Sequence, residues 1–207
     1  SHPVYRDEII NGKALGGVAL LVLVIGGVLL IATALLLVLS IVPSPDDLWV
    51  ILTYAGVTLL LLVTFFSIAL AFSTLCRESG SALLLAVIAF ILLSFVIPYA
   101  FAQIGPALMM EEPDPAAYGG DTSSEGFQAE IMAYYERQDV ITSARNLLSP
   151  EMAVNNLIQT VHNSHNSPGT TFENMLGEIW SSVVALIFYP VVFFAIAYAR
   201  FMRMDIR

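Results

Sequence analysis

The sequence predicts an all-α fold: a polytopic membrane helix bundle with four transmembrane helices and a small helical extracytoplasmic cap between the last two. Three observations carry this reading. The chain is 57% hydrophobic and only 12% charged, with a mean hydropathy of +0.80, whereas soluble domains carry about 25% charged residues. Four long runs lack Asp, Glu, Lys and Arg altogether: 14–45, 48–76, 79–110 and 179–199. Between the third and fourth runs lies a polar, acidic stretch with helix signals of its own.

Each charge-free run supplies one crossing, because a helix needs roughly 20 apolar residues to traverse a ~30 Å hydrocarbon core. The spans are placed near 16–41, 49–74, 81–101 and 179–199. The first run is long enough to raise a re-entrant hairpin at Gly26-Gly27, but two crossings would need about 40 apolar residues. It is also too long for a signal-peptide core and lacks a small-residue cleavage site. Small residues in "VIGGVLL" suit close helix packing. They make no phosphate loop, since the Lys-Ser/Thr partner is missing. Pro98 and Pro190 are positioned to kink the third and fourth spans.

Lysine and arginine set the orientation. An even number of spans puts both termini on one side, with the short loop around Arg77. That side carries Arg6, Lys13, Arg77, Arg200, Arg203 and Arg207, six of the eight basic residues. The positive-inside rule makes it the cytoplasmic side. The acidic residues divide the other way: Asp46, Asp47 and all those from Glu111 to Glu178 fall outside. The net charge of −9 therefore belongs to the outer face, which repels nucleic acid. The resulting divisions are a cytoplasmic segment 1–13, three spans within 14–101, an extracytoplasmic helical loop 102–178, the fourth span 179–199 and a cytoplasmic tail 200–207.

The outer loop begins with "EEPDPAAYGGDTSSEG", a Pro-, Gly- and acid-rich linker. "FQAEIMAYYERQDVITSARNLL" then shows helical spacing of Phe127, Ile131, Tyr134, Tyr135, Val140 and Leu147. In "SPEMAVNNLIQTV", Ser149 caps, Pro150 suits the first helical position and Glu151 complements the helix dipole. "HNSHNSPG" reads as the break after that helix. "TTFENMLGEIW" restarts one, with Thr170 and Glu173 at capping-box spacing, running into the last span. The apolar stripes of these helices require the membrane surface or a partner.

Chemistry-bearing constellations are few. Cys76 is the only cysteine, so no intrachain disulfide forms, and it reads as apolar filler at the inner end of the second span. His162 and His165 lack a third ligand nearby and read as part of a polar turn, not a metal site. No nucleophile-elbow context surrounds any serine. The spans hold only mild polar groups, among them Thr33, Thr53, Tyr54, Thr64, Ser67, Ser73, Ser94, Gln103, Ser181 and Ser182. Ion-coupled carriers place ionisable groups at mid-membrane, so a self-powered ion-coupled carrier is disfavoured, as is a carboxylate-lined cation pore.

The opening stretch "HPVYRDEIINGKALGG" resembles the cytoplasmic segment of ABC-2 type transporter permease subunits, which commonly read Pro-x-x-Arg-x-Glu-Ile/Leu-x-x-Gly-Lys before a long apolar helix. Pro3, Arg6, Glu8, Ile9, Gly12 and Lys13 match. "STLCRESGSALLLAVIAFILL" resembles the short inner loop of that family, and "AIAYARFMRMDIR" its basic C-terminus. "NLLSPEMAVNNLIQ" is similar to the segment before its final helix. The resemblance spans essentially the whole chain. Such permeases usually have six spans, with the Arg-x-Glu…Gly-Lys segment between the second and third. It therefore implies a chain lacking the family's first two helices, as a fragment or truncated gene product, with a four-span protein as the alternative.

The resemblance further implies a membrane-spanning permease, an exporter, paired with a second permease subunit and driven by a separate ABC ATP-binding subunit. ATP and Mg would be held by that partner, with no cofactor or metal on this chain and no catalytic residue in it. The expected location is the plasma membrane. The family's first inner segment includes a coupling helix that docks on the ATP-binding subunit. Arg6, Asp7 and Glu8 would pair with the partner's charges, and Ile9 and Ile10 would give apolar contact. Gly12 would mark a break before the span, and Lys13 would snorkel to the headgroups. Arg77 and Glu78 form a second candidate contact. A membrane scaffold or sensor with a ligand-binding cap is the alternative. An intramembrane enzyme is disfavoured because the spans hold no nucleophile–base set.

Overall fold

The computed structural model describes residues 6–108, 111–166 and 172–203; for a few of these, including Arg6, Asp7, Asp46 and 172–179, it describes the backbone path alone. Among the described residues there is no strand. Seven α-helices follow one another: α1 (Arg6–Val38), α2 (Pro45–Leu75), α3 (Ser79–Ile91), α4 (Ile97–Leu108), α5 (Glu125–Leu148), α6 (Pro150–Asn166) and α7 (Phe172–Arg203). A π-helical turn, Leu92–Val96, joins α3 to α4. Four stretches are long and apolar enough to cross a membrane: Glu8–Val38, Asp47–Leu75, Ser79–Gly105 and Ser182–Arg203. Each overlaps one charge-free run, the first beginning before its run, at Glu8, and the last extending past its run to Arg203.

The helix ends follow from local chemistry. Ser40 takes a left-handed conformation (φ 59°). The chain there closes α1 by returning the Ile41 N–H to the Leu36 carbonyl at 2.9 Å and the Ser40 N–H to Leu37 at 3.0 Å, the pairing that satisfies orphan carbonyls at a helix C-terminus. α2 opens on Ser44 and Pro45. The Ser44 hydroxyl accepts from the Asp47 N–H at 3.2 Å, and the Asp47 carboxylate accepts the Ser44 N–H at 2.9 Å. The two bonds form a reciprocal cap. Within the spans, hydroxyls turn back onto their own helix, as Thr33 does to Leu29 (2.7 Å) and Thr53 to Trp49 (2.8 Å). That is how a polar side chain is satisfied where no water reaches.

α2 and α7 form the spine. α6 packs into the angle between them, and its Ala153, Val154 and Leu157 form a core with Ala185 and Leu186 of α7, edged by Val57, Leu60 and Leu61 of α2. A second core lies toward the chain's first residues: Ile10 of α1, Leu70 and Ala71 of α2, and Ala197 of α7. α3 lies against α2, with Phe65 and Phe90 meeting edge to face at 5.0 Å. α1 and α3 otherwise present bare apolar faces, Leu30 of α1 being 74% exposed, as helices facing lipid do.

Three readings of the sequence are revised. α1 is continuous from Arg6 through Gly12, Gly16 and Gly17, so Gly12 marks no break. A glycine inside a helix costs about 1 kcal/mol, and the apolar run that follows outweighs it. Gly26 and Gly27 face open space, and close packing falls instead to Gly17, where any Cβ would overlap the Phe66 ring of α2. α6 continues through "HNSHN" to Asn166, carrying exposed His162 on its outer end. The rest of that stretch, with Pro168 and Gly169, lies outside the described residues, as does Thr170.

The acidic linker is ordered in part. Asp114 caps a single 3-10 turn, Pro115–Tyr118, and Gly119 and Gly120 follow at φ 67° and 80°, a region that favours glycine. The Tyr118 ring meets Phe127 edge to face at 5.7 Å, and its hydroxyl donates to the Glu130 carboxylate at 2.6 Å.

Candidate coupling surface and the buried hairpin

The expected docking residues gather at one end of the bundle. Ile10 is buried against Leu70, Ala71 and Ala197, so the first turns of α1 lie level with the last turns of α2 and α7. The turn from α2 to α3 lies at that end as well. Cys76, half-buried, ends α2 by returning its N–H to Phe72 at 3.0 Å. Arg77 and Glu78 follow, fully exposed, and the Glu78 carbonyl accepts the Ser81 hydroxyl at 3.1 Å.

The individual side chains divide into anchor and display. Ile10 is 2% exposed while Ile9 is 47% exposed, so the expected apolar pair splits. One isoleucine fastens the helix and the other remains available. Glu8, Gly12 and Lys13 are exposed. The side chains of Arg6 and Asp7 lie outside what is described; their backbone begins α1. Arg200 and Arg203 close α7 beside them. The surface is thus mainly basic, carried on helix ends that continue without interruption into spans.

At the other pole, the α5–α6 hairpin penetrates between the spans. Its turn is Leu147-Leu148-Ser149-Pro150. The Ser149 hydroxyl donates to the Leu93 carbonyl at 2.7 Å, and Leu93 stands midway along the Ser79–Gly105 span. The Tyr189 hydroxyl donates to the Leu147 carbonyl at 2.6 Å. Ser182 accepts from Asn146 Nδ2 at 2.9 Å and from Asn156 Nδ2 at 3.0 Å. Asn146, Ser149 and Ser182 are all fully buried. Two buried atoms of this knot, Arg145 Nε and Asn146 Oδ1, have no protein partner among the described residues.

The Ser149–Leu93 bond, and a second contact on α7, originate in the two span prolines. At the π turn the Ile97 N–H reaches back five residues to Leu92, and Pro98 has no N–H to offer. The Leu93 carbonyl is therefore left for a side chain, and Ser149 supplies the donor. In α7, Pro190 withholds the N–H that would bond Leu186. The Thr64 hydroxyl of α2 lies 3.3 Å from that carbonyl, shared with its own Leu60 at 2.9 Å. In hydrocarbon every backbone polar group must be satisfied by protein, so each proline calls a hydroxyl from a neighbouring helix. Sequence reading recognised the prolines as kinks but not their partners. The signal was present: a span proline orphans the carbonyl four or five residues earlier, and Thr64 and Ser149 are hydroxyls lodged in apolar stretches.

Among the described residues, no three His, Cys, Asp or Glu side chains come together as a metal site. Searches of curated proteins and of solved structures find no match to this chain. A family model described as "ABC-2 family transporter protein" matches residues 1–206. With four candidate spans on a helical bundle and a match over nearly its full length, the chain belongs to the ABC-2 family of transporter proteins, as a membrane-spanning permease component.

Proposed function

We propose that this permease is the membrane subunit of an ATP-driven exporter, with ATP hydrolysis carried out by a separate ABC ATP-binding subunit. The partner docks on the end formed by the α1 start (Arg6, Asp7, Glu8, Ile9, Gly12) and the α2–α3 turn (Arg77, Glu78), with Lys13 at the membrane edge of that surface, its ammonium turned to the headgroups. One observation supports this most: α1 runs unbroken from Arg6 to Val38, pinned by Ile10 to both spine helices. A push on its first turn is transmitted along a rigid rod, because helices and packed cores move as bodies rather than bend continuously. ATP and Mg bind the partner, and a second permease subunit completes the pathway. Both termini lie in the cytoplasm of a plasma-membrane protein, as the Lys and Arg bias requires.

The test is co-purification. The tagged permease is purified from its native membranes and the eluate probed for an ABC ATP-binding subunit. Charge reversal at Arg6 and Glu8 together, or at Arg77, is expected to strip that subunit away while the permease stays folded. A permease that purifies with no ATP-binding subunit, or whose complex is indifferent to both reversals, sinks the reading. Vesicles loaded with cargo on one side decide the direction of transport.

A further inference from the structure

Two cavities lie end to end along the seam where α1, α2 and α7 meet. The first, about 260 Å³, is lined by apolar groups that include Val18, Val63, Phe66, Pro190 and Phe194. The second, about 90 Å³, is lined by Ile9, Ile10, Lys13, Ser73, Thr74 and Phe201. Leu70 belongs to both walls. The two therefore adjoin at Leu70; the first is greasy, its one hydroxyl, Ser67, being turned to the Thr64 carbonyl at 2.7 Å, and the second, at the mouth, is polar. Among the described residues, Lys13 is the one charged group lining either cavity, and it is exposed. Ser73 adds an exposed hydroxyl beside it.

The dimensions match one leaflet. From Thr74 at the mouth to Val63 at the far end, α2 rises about 16 Å at 1.5 Å per residue. Half of a bilayer's hydrocarbon core is about 15 Å. The mouth lies at the end of the spans, where headgroups are, and the apolar part lies within Asp47–Leu75 and Ser182–Arg203.

We infer that this seam is a binding site for one anionic membrane phospholipid, its phosphate at Lys13 and Ser73 and one acyl chain laid along Val18, Phe66 and Phe194 toward Pro190. Charge complementarity selects the headgroup: a lysine at the membrane surface favours an anionic lipid by about fivefold over a zwitterionic one. The chain end fills a space that water does not, since a cavity without polar partners stays dry. The occupant joins α1 to the α2–α7 spine over the turns beyond Ile10. The site goes beyond the transport reading and does not depend on an ATP-binding partner.

Native mass spectrometry of the full chain, released from mixed micelles, tests this with phosphatidylglycerol and phosphatidylcholine as probes. The wild-type chain is expected to retain one phosphatidylglycerol in preference to phosphatidylcholine. Lys13→Gln should lower that preference about fivefold. Val18→Trp on α1 and Val191→Trp on α7, both residues of the apolar lining, fill that cavity from opposite helices and should each abolish retention of both lipids, with helical content by circular dichroism confirming the fold. Leu30→Trp, on the bare face of α1, should bind as wild type. Equal retention of the two lipids by wild type overturns the inference. So does an unchanged preference in Lys13→Gln, undiminished binding in a folded tryptophan variant, or equal loss in Leu30→Trp, which would mark a general lipid annulus.

Discussion

The Ser149 hydroxyl serves two helices at once. It donates to the Leu93 carbonyl at 2.7 Å and accepts the Met152 N–H at 3.4 Å. One oxygen thus closes the gap left by the π turn and Pro98 and caps the start of α6. Ser149→Ala is expected to leave a buried carbonyl unpaired, at about 1–3 kcal/mol, and to remove a cap worth about 1 kcal/mol. Unfolding of the detergent-solubilised protein in increasing SDS measures the loss. A change below about 0.5 kcal/mol would show that Leu93 finds another donor.

Thr64 and Pro190 make a sharper pair. Thr64→Val keeps shape but removes the donor to Leu186, and should cost about 1 kcal/mol. Pro190→Ala restores the backbone N–H that Leu186 lacks. In that background Thr64→Val should be nearly neutral. The double-mutant cycle reads the coupling directly; additivity within about 0.3 kcal/mol would refute the account of the orphaned carbonyl.

Gly17 and Gly26 should behave oppositely, although both sit in the first span. A methyl at Gly17 overlaps the Phe66 ring, whereas one at Gly26 meets nothing. Gly17→Ala is therefore expected to lower the midpoint of thermal unfolding and to be rescued by Phe66→Leu. Gly26→Ala and Gly27→Ala should be neutral or slightly stabilising, since alanine is the better helix former. Equal effects at all three positions would argue against the α1–α2 contact.

The outer turn after Gly120 carries an acid-sensitive contact. Asp121 accepts the Ser123 N–H at 2.9 Å and the Ser123 hydroxyl at 2.6 Å, and these bonds hold its pKa below the ordinary carboxylate value. A lowered folded-state pKa means that the contribution is present above the ordinary value and lost as pH falls through the lowered one. Amide exchange in 121–127 should accelerate in that acidic window, after correction for the intrinsic rate. Ser123→Ala should already show the faster exchange at neutral pH.

The spans were legible because hydrocarbon excludes charge so strongly that the runs between Lys13 and Asp46, or Glu78 and Glu111, announce their own ends. The start of α6 was legible too, since Ser149, Pro150 and Glu151 each act within one turn. What escaped the sequence was depth. α5 carries Glu130, Glu136, Arg137 and Asp139, so its composition says outside. Yet its last turn reaches the middle of the third span, because Asn146 and Ser149 find partners on α7 and the π turn that periodicity does not register. In the candidate coupling segment, Ile9 and Lys13 stand exposed, as a charged first turn leads one to expect. The burial of Ile10 was not legible, because it depends on Ala71 and Ala197 being small enough to admit it. Gly12 misled for a simpler reason: local propensity is weak beside a long apolar helix.

The hairpin also dictates an order of assembly. Its seats on α7, Ser182 and Tyr189, belong to the stretch of chain that leaves the ribosome after everything else described has been made. Until then α2 lacks the larger part of its spine, and Asn146 and Asn156 have nothing to hold. Ribosomes stalled short of the last helix should therefore present the earlier helices inserted, with an undocked, protease-sensitive outer segment. Quality-control proteases would meet that segment as the mark of an unfinished subunit, and arrival of α7 would remove the mark in a single step.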